Sequence, residues 1–423
     1  MDYRPRIVDS ELDELLLGLP AISLEGPKAV GKTETGMRRA GTVYRLDDQD
    51  QFEIAKAAPE RLITGDAPIL IDEWQRFPSV WDLVRRSVDS DASPGRFLLT
   101  GSATPTRSPT HSGAGRIVTV RMRPMSLAER ALAVPTVSLA NLLSGKRLPV
   151  QGASSVSLED YVNEIIRSGF PAIRTQTGRV LRSQLDGYID RIIERDFVEL
   201  GHNVRNKDAL RRWITAYAAA SSTTASYETI RDAASSGESD KPAKTTTIPY
   251  RATLNQLWMI EETPAWAPTR NRLRRLAASP VHQLADPALA ARLLGMDSGA
   301  LLEGAPAGPA MPRDGTLLGA LFESLVALSL RTYAQANEAS VRHLRTRSGE
   351  HEIDFIIERG DGKVVAIEVK LSATPDRNDS RHLEWLADRI GPNLLDAAIV
   401  TTGKEAYRRA DGIAVIPAAL LTA

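Results

Sequence analysis

The sequence of 423 residues contains no cysteine. Disulfide bonds and thiolate metal sites are therefore excluded. The sequence also lacks net charge, because 53 Lys and Arg residues balance 53 Asp and Glu residues. No global field attracts nucleic acid, so any nucleic-acid site must be a local basic patch.

Long apolar stretches are scarce as well. We expect no run long enough to cross a bilayer, and residues 1–6 are not followed by the apolar core of a signal peptide. Hydrophobic residues make up 42% and charged residues 25% of the chain, as is typical of soluble globular proteins. These features predict a cytoplasmic protein without membrane contact, and the length predicts two to four domains.

The first positive signal is a complete Walker A motif. It reads Gly26, Pro27, Lys28, Ala29, Val30, Gly31, Lys32 and Thr33. An apolar run before it predicts a strand and residues 33–39 predict a helix, an arrangement that turns backbone N–H groups toward a phosphate chain. We predict that these residues and Thr35 bind ATP, with Lys32 on the β- and γ-phosphates and Thr33 as a ligand of Mg²⁺.

A Walker B pattern follows at residues 68–73, where an apolar strand ends in Asp72 and Glu73. Asp72 suits the Mg²⁺ shell, and Glu73 suits a general base that polarises the attacking water. A chance match in a surface loop is the alternative for either motif alone. The two motifs in this order favour nucleotide binding.

Strands and helices alternate through this region. Strands are predicted at residues 20–24, 43–48, 68–73, 96–102 and 117–120, and helices at 9–17, 50–57 and 77–88. Such alternation predicts an α/β fold with a parallel sheet and the ligand at the strand ends.

Arg116 follows a polar loop at residues 104–115. In an oligomeric ATPase, an arginine at this place can reach the γ-phosphate of a neighbouring subunit. The alternative is a local salt bridge, and nothing in the sequence separates the two. A homo-oligomer is therefore one expectation.

The chain resembles a family of predicted prokaryotic AAA+ ATPases. The resemblance rests on the two Walker motifs and on Leu46-Asp47-Asp48, Leu99-Thr100-Gly101-Ser102, Gly115-Arg116, Arg123-Pro124-Met125-Ser126, Ser168-Gly169-Phe170-Pro171 and Tyr188-Ile189-Asp190-Arg191. It implies an ATPase domain at 1–130 with Thr100 as its sensor residue, a helical lid or linker at 131–205, a winged helix-turn-helix and connection at 206–303, and a restriction-endonuclease-like domain at 304–423.

Within the lid, residues 158–167 and 181–199 carry apolar residues at helical spacing. Arg191, Glu194, Arg195 and Asp196 are expected to form a solvated face or, alternatively, contacts between subunits.

The next region predicts helices at 209–219, 227–234 and 245–257. Thr245, Thr246, Tyr250 and Arg251 of the third helix are candidates for DNA contact, although Pro249 should interrupt this helix unless it lies in the first turn. Winged helices also bind proteins, and the loop at 235–240 is partly acidic. Arg270, Arg272, Arg274 and Arg275 form either a phosphate contact or a solvated helix face.

The C-terminal region carries a second candidate site. Glu323 lies on an amphipathic helix at 317–333, Asp354 near the start of a strand at 352–357, and Glu368 and Lys370 on a strand at 364–370, after a turn at 360–362 and a flexible linker at 304–315. Residues two apart on a strand share a face. The pattern resembles the PD-(D/E)XK nuclease core, which implies Mg²⁺ held by Asp354 and Glu368, Lys370 beside the reacting phosphate and Glu323 as an auxiliary acid. The alternative is a salt-bridged hairpin without metal.

Together, these patterns predict a Mg²⁺-dependent ATPase that acts on or near DNA, with a nuclease-like C-terminal domain. The rival interpretation is an ATP-switched regulatory or scaffold protein whose C-terminal domain binds a partner without cleavage.

Overall fold

The computed structural model describes residues 3–102, 113–201, 206–235, 243–268, 278–303, 315–346 and 349–423. Most of the loop at 104–115 and of the acidic loop at 235–240 lies outside these ranges. The four arginines at 270–275 and almost all of the linker at 304–315 also lie outside the described residues.

The N-terminal region is built on a five-stranded sheet in the order β2-β3-β4-β1-β5, and every neighbouring pair is parallel. Its strands are β1 (Ala21–Glu25), β2 (Thr42–Arg45), β3 (Ile69–Asp72), β4 (Phe97–Gly101) and β5 (Ile117–Arg121). The helices are α1 (Ile7–Leu16), α2 (Lys32–Met37), α3 (Gln49–Ala57), α4 (Ser79–Ser90) and α5 (Leu127–Arg130). The α/β prediction and its parallel sheet are confirmed, with element bounds that differ by up to three residues.

The middle region is mostly helical. Its elements are β6 (Val137–Ser138), α6 (Leu139–Leu143), β7 (Gly152–Ala153), α7 (Leu158–Arg167), α8 (Gly178–Arg191), α9 (Phe197–Glu199), α10 (Lys207–Ala219), α11 (Tyr227–Ala233), α12 (Lys244–Gln256), β8 (Ala265–Trp266), α13 (Pro287–Leu293) and α14 (Ser298–Glu303). A π-helical turn, Ile192–Asp196, joins α8 to α9.

Helix α12 contains Pro249 in its interior, five residues after its start at Lys244. Proline lacks the N–H of the helical ladder and usually interrupts a helix there. The expectation that Pro249 would break this helix was wrong. Tyr250 packs into the core beside Phe197 and Trp213, and this packing holds the helix together across the proline.

The C-terminal region forms an eight-stranded mixed sheet in the order β7-β13-β14-β12-β11-β10-β9-β8. Its own elements are α15 (Gly315–Ala336), β9 (Ser340–Arg345), β10 (Glu352–Glu358), β11 (Val364–Lys370), α16 (Arg381–Ile390), β12 (Leu394–Thr401), β13 (Glu405–Arg408), β14 (Ala414–Pro417) and β15 (Leu421–Thr422). The predicted helix, hairpin and turn are therefore present.

The two edges of this sheet come from the middle region. Strand β7 pairs with β13 at one edge and β8 with β9 at the other, while β15 pairs with β6. The C-terminal sheet thus includes two strands from before residue 304. The predicted boundary between residues 303 and 304 therefore separates strands of one sheet.

One hydrophobic core runs from α1 through the helical region to β15. Helix α15 lies within it, and its segment Leu317–Ala336 is long and apolar enough to cross a membrane by length and composition. The expectation that no such run exists was wrong. Of the apolar segment of this helix, 78% is buried inside the fold, as in a core helix of a globular protein.

Candidate nucleotide and carboxylate sites

The P-loop follows β1 and closes over the end of the neighbouring strand. Gly26 has φ of +157°, and a Cβ atom there would lie 2.0 Å from the carbonyl oxygen of Met122. Gly31, with φ of +104°, immediately precedes α2. These two positions therefore require glycine, and they place the loop at the carboxyl edge of the sheet.

Lys32 is buried at the start of α2. Its ammonium group donates to the carbonyl oxygens of Gly26 and Pro27, each at 2.8 Å. Burial lowers the pKa of Lys32 to about 8, against the opposing charges of Glu73, Asp72 and Glu25. Among the described residues, no carboxylate forms a salt bridge with this enclosed ammonium group, which suits an anionic ligand.

Asp72 ends β3 and collects two hydroxyl groups. Thr33 Oγ1 donates to Asp72 Oδ1 at 2.8 Å, and Thr100 Oγ1 donates to the same oxygen. Strands β3 and β4 and helix α2 bring these groups together, because β3 lies directly beside β4. The resulting oxygen cluster fits a Mg²⁺ ion, which prefers oxygen ligands.

Glu73 has a left-handed backbone, with φ of +56°. Its carboxylate accepts from Gln75 Nε2 and, at 3.3 Å, from Ser102 Oγ. Burial raises its pKa, the Lys32 ammonium lowers it, and Asp72 raises it. Gln75 was not predicted as a site residue, because a glutamine after a Walker B strand carries no motif of its own.

Two predicted site residues have partners of their own. The Thr35 side chain is fully buried, with its hydroxyl 3.0 Å from that of Tyr3, and its N–H donates to the Gly31 carbonyl. Contacts within the fold therefore hold Thr35 in place, and its contact with a ligand stays a prediction. Arg116 forms a salt bridge with Asp89 at 2.8 Å, the local alternative considered for it.

Contacts between the P-loop and the helical region escaped prediction. Lys28 Nζ donates to Asp196 Oδ1 at 2.6 Å, and Tyr188 donates from its hydroxyl to the Lys28 carbonyl at 3.1 Å. Asp196 lies in the π-helical turn and is buried. The expectation of a fully solvated charged face was wrong for Asp196, because the P-loop lysine covers it. A cavity of about 480 Å³ adjoins this contact.

The second site lies on the β10–β11 hairpin. The Val369 N–H donates to Asp354 Oδ2 at 2.7 Å, and Lys370 Nζ donates to Glu368 Oε2 at 2.9 Å. Glu323 on α15 is close enough for Asp354 and Glu368 to raise its pKa, after the larger effect of burial. The predicted residues are therefore brought together.

The carboxyl groups of this site repel one another. Burial and the Asp354 charge raise the pKa of Glu368 to about 9, and burial raises the pKa of Asp354. Glu368 Oε1 is buried without a hydrogen-bond partner, although Asp354 lies within hydrogen-bonding reach of Glu368. Two acceptor groups in contact need a shared proton or a cation between them.

The metal prediction for this hairpin meets one negative observation. Among the residues that the structure describes, no group of three or more His, Cys, Asp or Glu side chains is arranged to hold a metal ion. Asp354 and Glu368 are thus a pair of potential ligands, and Lys370 occupies one oxygen of that pair.

The three-helix segment formed by α10, α11 and α12 approaches this second site. The Ser222 hydroxyl, between α10 and α11, donates to the Ala320 carbonyl of α15 at 2.9 Å, three residues before Glu323. Of the predicted DNA contacts, Thr245 and Thr246 are exposed, Arg251 stacks on Tyr227 at 4.4 Å, and Tyr250 is buried. The prediction for Tyr250 was wrong, because its ring serves the core.

Family models match three parts of the chain. An AAA domain matches residues 19–131, a domain of unknown function (DUF8612) matches 158–300, and a second domain of unknown function (DUF4143) matches 318–421. Each of these models covers less than half of the chain.

Uncharacterized relatives and a solved structure align with much of the chain. Uncharacterized proteins of Mycobacterium bovis and Mycobacterium tuberculosis are each 26% identical over 406 residues, covering 94% of this chain and 80% of the relative. The Walker-type ATPase of Pyrococcus abyssi aligns with 15% identity and a TM-score of 0.39, over 69% of this chain and 99% of its own. The family match over 19–131 and the parallel sheet with its P-loop identify the N-terminal part of this chain as an AAA-type P-loop domain.

Proposed function

We propose that this protein is a Mg²⁺-dependent ATPase that acts on DNA, and that its C-terminal hairpin binds a divalent cation. The observation that carries the ATPase part is the convergence of Thr33 and Thr100 on one oxygen of Asp72, beside Lys32 and Glu73. This is the set of groups that hydrolysis of a phosphoanhydride needs.

The chain's own residues account for the chemistry. Lys32 exchanges the carbonyls of Gly26 and Pro27 for phosphate oxygens, while Thr33 and Asp72 would hold the cation. Mg²⁺ supplies positive charge that offsets the phosphates. Glu73 accepts a proton from the attacking water, and Gln75 and Ser102 orient its carboxylate.

The DNA part of the proposal rests on the position of the three-helix segment. The Ser222 hydroxyl of this segment bonds to Ala320, three residues before Glu323 of the hairpin site, and the first turn of α12 is exposed and open to contact with a duplex. Asp354 and Glu368 would hold the divalent ion there, and the unpartnered Glu368 Oε1 supports this fit. Lys370 would stabilise negative charge that develops on a phosphate.

A second function has its own support. Burial raises the pKa of Glu368 to about 9, and a neutral acid beside a lysine attracts cations weakly. The rival is therefore an ATP-switched regulatory or scaffold protein whose hairpin domain binds a partner without cleavage.

ATP affinity and phosphate release, measured separately on purified protein, test the ATPase. Lys32→Ala should lose both, since its ammonium is the buried cation of the loop. Lys56→Ala removes a solvent-exposed lysine of the same region and should leave both unchanged. ATP hydrolysis that survives in Lys32→Ala would overturn the assignment.

Cleavage assays distinguish the two functions, with linear and branched duplex DNA as substrates and Mg²⁺ or Mn²⁺ as the cation. Cleavage by the wild type that is lost in Asp354→Asn, with ATP hydrolysis retained, supports the proposal. Absence of both cation binding and cleavage at this site favours the scaffold.

A further inference from the structure

A large cavity lies in the helical region, apart from both sites above. Its volume is about 650 Å³, within the range of pockets that bind small molecules. Its walls are α7, α8 and α13, with the turn that leads into α14. Neither Walker motif nor the hairpin contributes a residue to it.

The apolar part of the lining is continuous. Leu181 and Leu185 come from α8, Ala288 and Ala291 from α13, and Met296 from the following turn. These side chains offer a surface against which an apolar ring can pack, because removing apolar surface from water is favourable at roughly 25 cal/mol per Å².

The acidic residues of the lining already have partners. Glu164 forms salt bridges with Arg130 and Arg174. Asp160 accepts from the N–H and hydroxyl of Ser157, and Asp297 accepts from the Ala300 N–H. The charge of Glu164 is therefore balanced by two arginines, and Asp160 and Asp297 each accept from donors at the start of a helix.

Two arginines of the lining, unlike these acids, have no oppositely charged partner among the described residues. Arg167 and Arg182 form no salt bridge with any residue in the described ranges, and Arg167 Nε is buried without a hydrogen-bond partner. An enclosed guanidinium N–H that has lost water without gaining an acceptor is costly. Arg292 also lines the cavity but is paired with Asp186 at 2.6 Å.

The start of α8 adds to this positive character. Thr177 is its N-cap but makes no side-chain capping bond, and Thr177 and Gly178 both line the cavity. The first N–H groups of this helix therefore lack a side-chain acceptor at the same mouth as Arg182, one turn further on.

We propose that this cavity binds a small organic anion with an apolar body. The anionic group contacts Arg167 and Arg182, and the body packs against Leu181, Leu185 and Met296. This proposal does not depend on ATP hydrolysis or on the hairpin site.

The position of α8 gives such a ligand a route to the P-loop. Leu181 and Leu185 face the cavity, whereas Gln184, Tyr188 and Arg191 line the separate cavity beside Lys28. One helix thus forms a wall of both spaces. A ligand that shifts α8 would act on the Tyr188 and Asp196 contacts with Lys28.

Two dyes that share the same ring body test the proposal on the full chain. Anilinonaphthalene sulfonate carries a negative charge, and phenylnaphthylamine is its neutral counterpart. Fluorescence titration should show tighter binding of the anionic dye. Arg167→Gln with Arg182→Gln should weaken binding of the sulfonate by about tenfold or more and leave the neutral dye nearly unchanged.

A matched variant controls for surface charge. Arg179→Gln alters an exposed arginine on α8 that does not line the cavity, and sulfonate affinity should stay at the wild-type value. Met296→Trp fills the cavity and should abolish binding of both dyes. If Met296→Trp does not fold, Ser298→Trp at the same wall is the replacement variant, with the same expected result.

The result that would overturn the proposal is equally definite. If neither the filled-cavity variant nor the double arginine variant changes sulfonate binding, the dye binds elsewhere and the cavity is not an anion site. Equal affinity for the charged and neutral dyes in the wild type would also contradict it.

Discussion

The P-loop and the C-terminal hairpin each combine a lysine with two acidic residues. The partners of the lysine and the direction of its pKa shift are opposite in the two sites. Lys32 bonds to backbone carbonyls, and burial lowers its pKa to about 8. Lys370 bonds directly to Glu368, and the carboxylates around it raise its pKa despite burial.

The acidic residues of the two sites also have different partners. Asp72 is surrounded by hydroxyl donors, so its charge is already stabilised. Asp354 and Glu368 face each other, and both pKa values are raised. The N-terminal lysine is therefore left to contact an anion, whereas the C-terminal acids need a proton or a cation between them, although the side-chain compositions of the two sites are nearly the same.

The largest expected effect concerns the N-terminal site alone. Glu73→Gln should slow ATP turnover by about 10²–10⁴-fold, the usual range for a lost general base, while ATP binding persists because the P-loop is intact. Asp354→Asn should leave ATP turnover unchanged. Steady-state phosphate release and nucleotide affinity measure both. A comparable loss in the two variants would show that the sites act as one.

The next effect concerns the junction between the two regions. Glu261 is buried beside Arg121 and Arg123 of the N-terminal region and Arg331 of α15. These arginines hold the pKa of Glu261 far below its usual value, against the effect of burial. Arg331 also donates to the Glu261 carbonyl at 2.8 Å.

Glu261→Ala should therefore lower the free energy of unfolding by about 3–5 kcal/mol, because it leaves the buried Arg331 and the partly buried Arg121 and Arg123 without their acid. Urea denaturation followed by tryptophan fluorescence measures the change. Glu53→Ala, which breaks an exposed pair with Lys56, is the control and should cost under about 1 kcal/mol. Separate unfolding transitions for the two regions in the wild type would contradict a shared core.

Local motifs explain why much of both sites was predictable. Strand, loop and helix follow one another at residues 21–37, so the sequence itself holds the P-loop geometry. The same holds for Asp354, Glu368 and Lys370, because a hairpin with a short turn brings them together by pairing alone.

The contacts that escaped prediction join distant segments. The Lys28 ammonium meets Asp196 more than 160 residues later in the chain, and Tyr250 was mistaken for a surface residue because its neighbours Phe197 and Trp213 come from other helices. Edge strands β7 and β8 have two residues each, too short for an alternating pattern to indicate them. These features depend on tertiary packing, which leaves no periodic pattern in the local sequence.

A third test sharpens the contrast between anion and cation sites. In an Asp72→Asn background, which disables the N-terminal cation site, Mg²⁺ or Mn²⁺ should still raise the melting temperature through the hairpin. At a concentration 100 times the dissociation constant, the gain is about 2.7 kcal/mol. It should be larger at pH 8 than at pH 6, because the cation must displace the proton that Glu368 holds below its raised pKa. Adding Glu368→Gln should remove the shift, and a shift that persists would place the ion elsewhere.

The smallest expected effect is the pH dependence of stability, which should have opposite signs at the two sites. Glu368 has a folded pKa of about 9 and an unfolded pKa of about 4.3. Between these values the folded state holds the extra proton, so stability falls as pH rises through the window, by on the order of 1 kcal/mol per pH unit. Lys32 has a folded pKa of about 8 and an unfolded pKa of about 10.4. There the unfolded state holds the extra proton, so its contribution rises with pH above 8. Denaturation between pH 6 and 8 should thus show a decline that Glu368→Gln reduces and Lys32→Met does not. In that range the raised pKa values of Glu368 and Glu323 keep extra protons on the folded state, whereas Lys32 is protonated in both states below pH 8.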